Sequence, residues 1–412
     1  MPIAALLLAL APGAASAQAR DDASDPGAHP RAELRLGPAD APPAARSVAA
    51  HDVDVTASLD VATYADSDHV YVFTPSVAGG ISDPLAGWSV NGRYLVDVVS
   101  AASADVVSTA SPPFLEARHA GTLDAAYKPR DFGVAANAAI SVEPDYTSLL
   151  GGATLTKDLL AKALTLELGY SHLHDVAGRS GTPFSVFSRT LDRDALKAGA
   201  SIVVNRSTLL SFVGDAMFEY GDPSKPYRYV PLFAPGVTVP VGASIAEVNQ
   251  LRLSQRALEQ LPLSRDRYAL TMRWAHRFEA STLRLDERVY VDTWGLKAST
   301  TDARWLFDLG RRVELGPHAR FYGQTPVDFW QRGYVLDPGL AYPALRTGDR
   351  ELGPLVNLTG GGSLRAGLGS AADPRAWLLG FELDLTSTQY LDDIYLSQRF
   401  SVVGSVSLEA AL

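Results

Sequence analysis

The sequence contains no cysteine among its 412 residues. A disulfide framework and a thiolate metal site are therefore excluded. It also lacks any block of basic residues, and its formal net charge is -10, so we expect no nucleic acid as a partner. Mean hydropathy is +0.02, which is ordinary for a water-soluble chain. A membrane interpretation must therefore come from the order of the residues.

Recognisable catalytic motifs are missing as well. No GxSxG or HExxH segment occurs. Ser100 and Ser103 near Asp97 are the best hydroxyl and carboxylate neighbours, but a Ser/His/Asp site would need a histidine chosen freely from a distant segment. We predict that the protein is not an enzyme and uses no cofactor.

The N-terminal segment has the organisation of a signal peptide. An apolar run over residues 3–11 ends at Pro12 and Gly13, and small residues follow at the spacing that signal peptidase requires, with cleavage after Ala17 or Ala19. No Lys or Arg precedes the run, and a buried core helix is the alternative. We predict a cleaved signal peptide over residues 1–19 and therefore export.

A segment rich in Pro, Ala and Asp follows over residues 20–50. It has too few apolar residues in periodic order to build a core, so it predicts a flexible periplasmic leader.

From residue 51 to the C-terminus, the main feature is the alternation of apolar and polar residues. Near its start, Val53 and Val55 share one face of an extended chain, whereas Asp54 and Asp60 lie on the other. A helix would spread these residues around its circumference. Counting every such segment gives about sixteen strands, and no apolar run here reaches the roughly 18 residues of a transmembrane helix. We predict an all-β fold, a transmembrane antiparallel up-and-down β-barrel over residues 51–412.

The lengths of the connections give an independent test of this prediction. If the first strand ascends, the even-numbered connections are all short: 82–87, 129–132, 157–162, 205–207, 278–281, 310–317 and 369–375. The long segments fall on odd-numbered connections: 100–118, 173–193, 221–265, 325–350 and 387–397. In a soluble sandwich or propeller, long segments are not expected to fall on alternate connections. An even strand count with long loops on one side is typical of bacterial outer-membrane barrels.

Four segments resemble a known family. They are residues 95–103 (LVDVVSAAS), 144–148 (PDYTS), 283–294 (LRLDERVYVDTW) and 320–329 (RFYGQTPVDF). With them the chain resembles DUF3570, a domain of unknown function in Gram-negative outer-membrane proteins, over most of residues 51–412. It departs from the family pattern at Val99 and Ala101, where Ile and Gly are expected, and it ends in Leu412 rather than an aromatic residue.

The resemblance implies a β-barrel and no established activity. Family members are often encoded near periplasmic thioredoxin-like and flavin-transferring proteins, which hints at a redox-related envelope system.

Charged residues on the predicted inner face are the candidate functional residues. If Leu285 and Val289 face lipid, the residues that alternate with them, such as Asp286 and Arg288, face the lumen. The same parity on neighbouring strands gives this lumen or constriction set: Arg273, Arg284, Asp286, Arg288, Asp292, Arg304, Asp308 and Arg320, with Asp97 on the opposite wall. Facing acidic and basic walls would orient small polar solutes and set ion selectivity. An interior held together by salt bridges is an equal alternative. Glu287 falls on the lipid face, which predicts a bulge or an interface position.

His172 and His174 are weak metal candidates. They lie two apart on one face of a predicted strand, with Asp175 beside them, and could supply two ligands. A site would need further ligands from elsewhere, and surface histidines without a metal are more common. We therefore predict no metal site.

Two further segments leave alternatives open. The largest predicted loop, residues 221–265, contains a possible helix over residues 246–260 and could fold into the lumen or project outward. The glycine run 360–362 lies in a predicted strand, where a kink or a close contact is favoured over a phosphate cradle.

The leading functional hypothesis is a porin-like channel for small polar solutes or ions in the bacterial outer membrane. The alternative is a closed structural or docking barrel that holds periplasmic or surface partners. The expected partners are outer-membrane lipid, the barrel-assembly machinery and small polar solutes or ions. The docking hypothesis adds a periplasmic partner protein.

Overall fold

The structure is a computed structural model that describes residues 53–101, 114–226, 228–336, 339, 341–370, 373 and 375–412. The predicted signal peptide and leader lie outside the described residues, as does most of the predicted connection 100–118. In the described part of the chain, no helix combines the length and the apolar character needed to cross a membrane.

Sixteen strands form one closed antiparallel barrel, which confirms the predicted fold class. The barrel strands are β1 (Asp54–Asp66), β2 (Val70–Asp83), β3 (Trp88–Ala101), β4 (Phe114–Tyr127), β5 (Phe132–Glu143), β6 (Tyr146–Leu159), β7 (Leu164–Ala177), β8 (Arg189–Asn205), β9 (Thr208–Gly221), β12 (Ser264–Arg277), β13 (Ser281–Asp292), β14 (Lys297–Leu309), β15 (Val313–Gln324), β17 (Leu355–Gly367), β18 (Trp377–Tyr390) and β19 (Gln398–Ala411). Each pairs with the next barrel strand along the chain, and β1 pairs with β19 to close the barrel, with Leu59 opposite Leu408.

The outward faces of the barrel strands are apolar. On β1, Leu59 and Val61 are exposed, and on β2, Tyr71, Phe73 and Val77 are exposed in the same alternation. A closed barrel pairs every strand edge, and lipid solvates an apolar outer belt. The architecture is therefore that of an outer-membrane β-barrel.

The seven even-numbered connections predicted to be short lie together at one end of the barrel. They are residues 84–87, 128–131, 160–163, 206–207, 278–280, 310–312 and 368–376. The long described connections 178–188, 222–263 and 325–354 lie at the other end. β1 begins and β19 ends on the short-turn side, which is the periplasmic side in barrels of this kind. We call the two sides the periplasmic end and the outer end.

Gly87 shows what a short periplasmic turn demands. Its φ angle is 78°, which favours glycine, and a β-carbon there would overlap the backbone of Lys128. Glycine lets this turn pack against the neighbouring one.

The bulge predicted as one option at Glu287 is absent. β13 pairs continuously with β12 and β14 through this position. Glu287 faces outward, and its carboxylate accepts hydrogen bonds from the hydroxyls of Ser299 (2.8 Å) and Thr301 (2.5 Å) on β14. Neighbouring hydroxyls thus satisfy this acid while the strand stays regular.

The long outer connections fold together into a small unit that we call the cap, the described residues of 222–263, 325–354 and 391–397. It contains β10 (Tyr229–Phe233), α1 (Ile245–Leu251), β11 (Arg252–Leu258), β16 (Tyr334–Val335) and a 3-10 helix (Arg350–Leu352). The three strands form a sheet in the order β11-β10-β16.

The helix predicted over residues 246–260 is only partly correct. α1 ends at Leu251, and the chain continues as β11, which pairs antiparallel with β10. Leu253 and Ala257 pack on the apolar cluster around Leu232, so the sheet gives this segment both hydrogen bonds and burial. These tertiary contacts outweigh its helical tendency.

The cap packs on the barrel rather than projecting away from it. Leu261 and Val327 of the cap pack with Trp294, and the inward-facing Tyr290 and Ala298 lie against this cluster. The Arg350 guanidinium also donates to Asp68 in the β1–β2 turn at 2.6 Å. The cap therefore covers part of the outer mouth.

Candidate functional site: the lumen and its outer mouth

The predicted lumen residues share the inner face of the barrel. On β13, Leu285 and Val289 are exposed outward, and Arg284, Asp286 and Arg288 alternate with them. The set does not form one ring. Arg288 and Asp292 lie in the outer half of β13, Arg273, Asp286 and Arg320 lie along the middle of the wall, and Arg284, its register partner Arg304 and Asp308 lie toward the periplasmic end.

Near the outer end, eight charged side chains form a group that we call the mouth network. Its members are Asp175, Arg193, Asp215, Glu219, Arg265, Arg267, Arg288 and Asp292. Arg193 Nη1 lies 2.8 Å from Asp175 Oδ2, and its Nε lies 3.1 Å from Glu219 Oε2. Arg267 pairs with the other oxygen of Glu219. Glu219 therefore joins arginines from β8 and β12.

The network continues onto β13. Arg265 Nε donates to Asp292 Oδ2 at 2.8 Å, and the Tyr290 hydroxyl donates to the same oxygen at 2.8 Å. The Arg265 guanidinium lies 4.3 Å from the ring centre of Trp294. Arg288 Nη1 lies 3.5 Å from Asp215 Oδ2 on β9. Charges of both signs therefore alternate around this part of the mouth.

Lower on the same wall, the contacts are looser. Arg273 Nε lies 3.4 Å from Asp286 Oδ2, and the Arg273 side chain is 36% exposed. Arg304 lies 3.5 Å from Asp302 and 3.9 Å from Glu382. The Arg273–Asp286 pair leaves more of each side chain accessible than the pairs that Glu219 and Asp292 make in the mouth network.

His318 bridges two carboxylates in the middle of the lumen. Its Nε2 lies 3.0 Å from Asp302 Oδ2, and its Nδ1 lies 3.1 Å from Asp384 Oδ1. A neutral imidazole has one N–H, so it can donate to only one of the two carboxylates at a time. Gly361 lies between His318 and Asp384 in the strand register, and a β-carbon there would overlap the Asp384 carboxylate. The close contact predicted for residues 360–362 is confirmed at this glycine.

Two other predicted residues lie away from the mouth. Asp308 pairs with Arg277 near the periplasmic end. Asp97, on the opposite wall, pairs with Arg118 and accepts a hydrogen bond from Thr74 Oγ1 at 2.5 Å. Asp97 and Arg118 are fully buried, so their charges compensate each other inside the barrel wall.

A cavity of about 250 Å³ lies at the outer mouth. Every member of the mouth network except Asp292 lines it, together with Tyr146, Tyr290 and Trp294. Asp349, Glu351 and Leu352 of the cap line it as well. The cavity is a charged chamber between the barrel wall and the cap.

Asp349 links the cap to this chamber. Lys225 Nζ lies 3.1 Å from Asp349 Oδ2, and Arg228 pairs with the same oxygen. Burial disfavours ionisation of Asp349, but these two cations outweigh it and hold the pKa of the carboxyl well below its usual range. Asp349 is therefore a carboxylate that carries a fixed negative charge beside the chamber.

The family model described as "Protein of unknown function (DUF3570)" matches residues 86–371, more than half of the chain. The chain belongs to the DUF3570 family. The matched range contains the whole mouth network, most of the cap and the strands that carry them.

No curated protein matches the chain at a significant level. Among solved structures, the chain is similar to the siderophore receptor PirA from Acinetobacter baumannii, with a TM-score of 0.41 and 11% identity over 82% of this chain and 53% of that one. The chain thus spans about half the length of this receptor. It is also similar to OccK5 (OpdH) from Pseudomonas aeruginosa, with a TM-score of 0.41 and 10% identity over 88% and 98% of the two chains. A bacterial polysaccharide outer membrane secretin gives a TM-score of 0.44 at 10% identity over 86% and 98%.

The structure places the metal candidates His172 and His174 on the outward face of β7. Asp175 does not accompany them, because it faces inward and pairs with Arg193. The histidines instead face Asp194 and Asp192 on β8. A residue adjacent in a strand points to the opposite face, and for this reason Asp175 is not their neighbour.

The structure brings together three carboxylates that the sequence pattern does not predict as a cluster. Glu116, Glu143 and Asp145 each offer an oxygen, and these oxygens lie within 4.8 Å of one another. Asp145 belongs to the PDYTS segment, but Glu116 reaches it only because β4 and β5 are neighbours. Glu143 is buried, and Glu116 and Asp145 are at most partly exposed.

Sequence reasoning also missed much of the mouth network. The parity rule applied to β8, β9 and the start of β12 would have found Arg193, Glu219 and Arg265, because they alternate with outward residues. No periodic signal marks Asp349 or Glu351, which enter the chamber from a loop.

Proposed function

We propose that this DUF3570 protein is an outer-membrane channel for small polar solutes or ions, controlled at its outer mouth by the mouth network and the cap. The charged chamber carries this proposal. Polar groups of both signs around a narrow passage orient dipolar solutes and select ions. Its volume suits small solutes rather than large chelates.

The burial of the inward charges supports control at the outer mouth. Asp292 and Glu219 have 0% and 4% of their side-chain surface exposed, whereas Glu167 and Arg273, nearer the periplasmic end, have 32% and 36%. These two mouth charges are therefore more enclosed than Glu167 and Arg273, and His318 and Asp384 in the middle of the lumen are enclosed to a similar extent, at 4% and 2%. Outer-membrane lipid would surround the apolar belt, and the barrel-assembly machinery would insert the chain.

The direct test is conductance of the purified protein in planar bilayers. A triple variant, Arg193→Gln, Glu219→Gln and Arg267→Gln, removes the charges that join β8, β9 and β12. It leaves Asp175 without its partner Arg193, so the folding of the variant is confirmed before the current is recorded. We expect a stepwise current from the wild type, and a larger current with altered ion selectivity from the triple variant.

A matched control variant carries Arg277→Gln and Asp308→Asn, which removes an ion pair near the periplasmic end. We expect a much smaller change from it. Silence from both the folded wild type and the folded triple variant would refute an open channel.

The second candidate is a closed docking barrel. The cap favours it, because Arg350 pairs with the buried Asp68 on the rim of the barrel. Arg228 pairs with the buried Asp349 and so joins two segments of the cap. Replacing residues 229–258 by a short linker separates the two candidates. Current that appears only after this change supports a gated channel, whereas continued silence supports a docking barrel for a periplasmic or surface partner.

A further inference from the structure

Four ionisable side chains form a grid on the outward face of β7 and β8. In the strand register His172 lies opposite Asp194, and His174 lies opposite Asp192. Each of the four side chains is 40–48% exposed. Tyr170, two residues nearer the periplasmic end on the same face, donates to Asp194 Oδ1 at 2.7 Å. Tyr170 lies in the middle of β7, so the grid lies in the outer half of this strand, on its outward face.

The contacts of His172 decide which of its nitrogens is free to bind. Its Nδ1 lies 2.9 Å from Asp194 Oδ1, a hydrogen-bond distance at which the carboxylate accepts an Nδ1–H. In the neutral ring Nε2 then carries the lone pair. That lone pair faces Asp192 Oδ1 at 3.8 Å, so two acceptors face each other across a gap too wide for a hydrogen bond.

A divalent cation fits this gap. Zinc binds imidazole nitrogen and carboxylate oxygen at about 2.1 Å, which puts two ligands of one ion roughly 3.4 Å apart. The hydrogen bond from a liganding histidine to a second carboxylate is the usual support for such a ligand, and Asp194 supplies it.

His174 offers a third ligand. Its Nδ1 lies 2.6 Å from the same oxygen, Asp192 Oδ1. The ligand atoms of His172, Asp192 and His174 do not all lie within 4.8 Å of one another, so the exposed His174 side chain would change rotamer to bind the ion. In the part of the chain that the structure describes, Asp192 and Asp194 pair with histidines and with no Lys or Arg. No lysine or arginine therefore compensates the negative charge of either carboxylate.

We propose that His172 Nε2, Asp192 Oδ1 and His174 form a binding site for a divalent transition-metal ion of the zinc type, with Asp194 and Tyr170 positioning His172. Three protein ligands leave a fourth position open to water. The site lies outside the lumen, so it is independent of the channel proposal.

The experiment titrates ZnCl₂ into the full chain, purified from the outer membrane in detergent, by isothermal titration calorimetry. We expect the wild type to bind one zinc ion that is lost in the His172→Ala, His174→Ala variant. We expect Asp192→Asn to weaken binding at least about ten-fold. Cobalt substitution, read by visible absorption, would show a tetrahedral site with nitrogen ligands.

The matched control is His119→Ala. His119 also faces outward, with Nδ1 2.7 Å from the Tyr94 hydroxyl, but it has no second histidine beside it. Retained binding in this variant supports the site. Glu143→Gln tests the carboxylate cluster of β4 and β5 as the source of the signal. The proposal is overturned if the wild type binds no zinc, if binding survives the double histidine variant, or if Glu143→Gln abolishes it.

Discussion

Among the ion pairs of the described residues, the pair between Asp97 and Arg118 is the most deeply buried, with no exposed side-chain surface on either partner. Removal of one partner leaves the other charge in a low-dielectric interior. We expect Asp97→Asn to lower the free energy of unfolding by roughly 3–5 kcal/mol. Urea titration of the barrel in lipid vesicles measures this change.

The matched control is the pair Arg332–Asp392, whose side chains are 31% and 44% exposed. Solvent screens such pairs, so Asp392→Asn should change the free energy of unfolding by less than about 1 kcal/mol. If the two substitutions changed the free energy of unfolding equally, the stabilising role of the buried Asp97–Arg118 pair would be contradicted.

Gly361 gives a second prediction for a single residue. A β-carbon there would overlap the Asp384 carboxylate, whereas one at the adjacent Gly360 would meet no atom within 4 Å. We expect Gly361→Ala to lower the free energy of unfolding by roughly 1–3 kcal/mol and to displace Asp384 from His318. Gly360→Ala should leave stability nearly unchanged. The same urea titration measures both variants. Equal free energies of unfolding for the two variants would show that the Asp384 carboxylate moves aside without a loss of stability.

Among the elements, α1 depends on its N-terminal cap because it has only seven residues. The Ser244 hydroxyl accepts a hydrogen bond from the Glu247 N–H, and the Glu247 carboxylate accepts from the Ser244 N–H. Loss of such a cap costs about 1 kcal/mol. We expect Ser244→Ala to speed proteolysis within the cap while the barrel stays resistant, as gel analysis of timed digests would show.

Ser254 provides the control for this experiment, because it is an exposed serine on β11 of the same cap. Ser254→Ala should leave the rate of cleavage unchanged. An equal increase in both variants would mean that α1 does not hold the cap together.

The elements also show how far sequence patterns extend. The barrel strands follow from strict alternation, which is a local property of each segment. Alternation does not predict β11, because residues 252–258 become a strand through their pairing with β10.

For the whole molecule, the orientation in the membrane can be tested with single cysteines, since the native chain has none. Leu85 lies in a short turn and is 81% exposed, whereas Val186 lies in the connection 178–188 and is 75% exposed. We expect a large membrane-impermeant maleimide to label Val186→Cys in intact cells, because long loops face outward. Leu85→Cys should react only after the outer membrane is permeabilised. A gel-shift assay measures both, and the reverse pattern would invert the assignment of the two ends.

The sequence by itself determined the barrel, its strand number, the side on which long loops lie and the inward direction of residues such as Arg288 and Asp97. Each follows from alternation along one strand or from the order of short and long connections. Only the tertiary structure decided which charges meet. His172 faces Asp194 because of the register between two strands, and Arg350 reaches Asp68 because the cap folds back on the rim. These contacts join residues far apart in the chain, and loop conformation, which no local period encodes, brings the cap to the chamber.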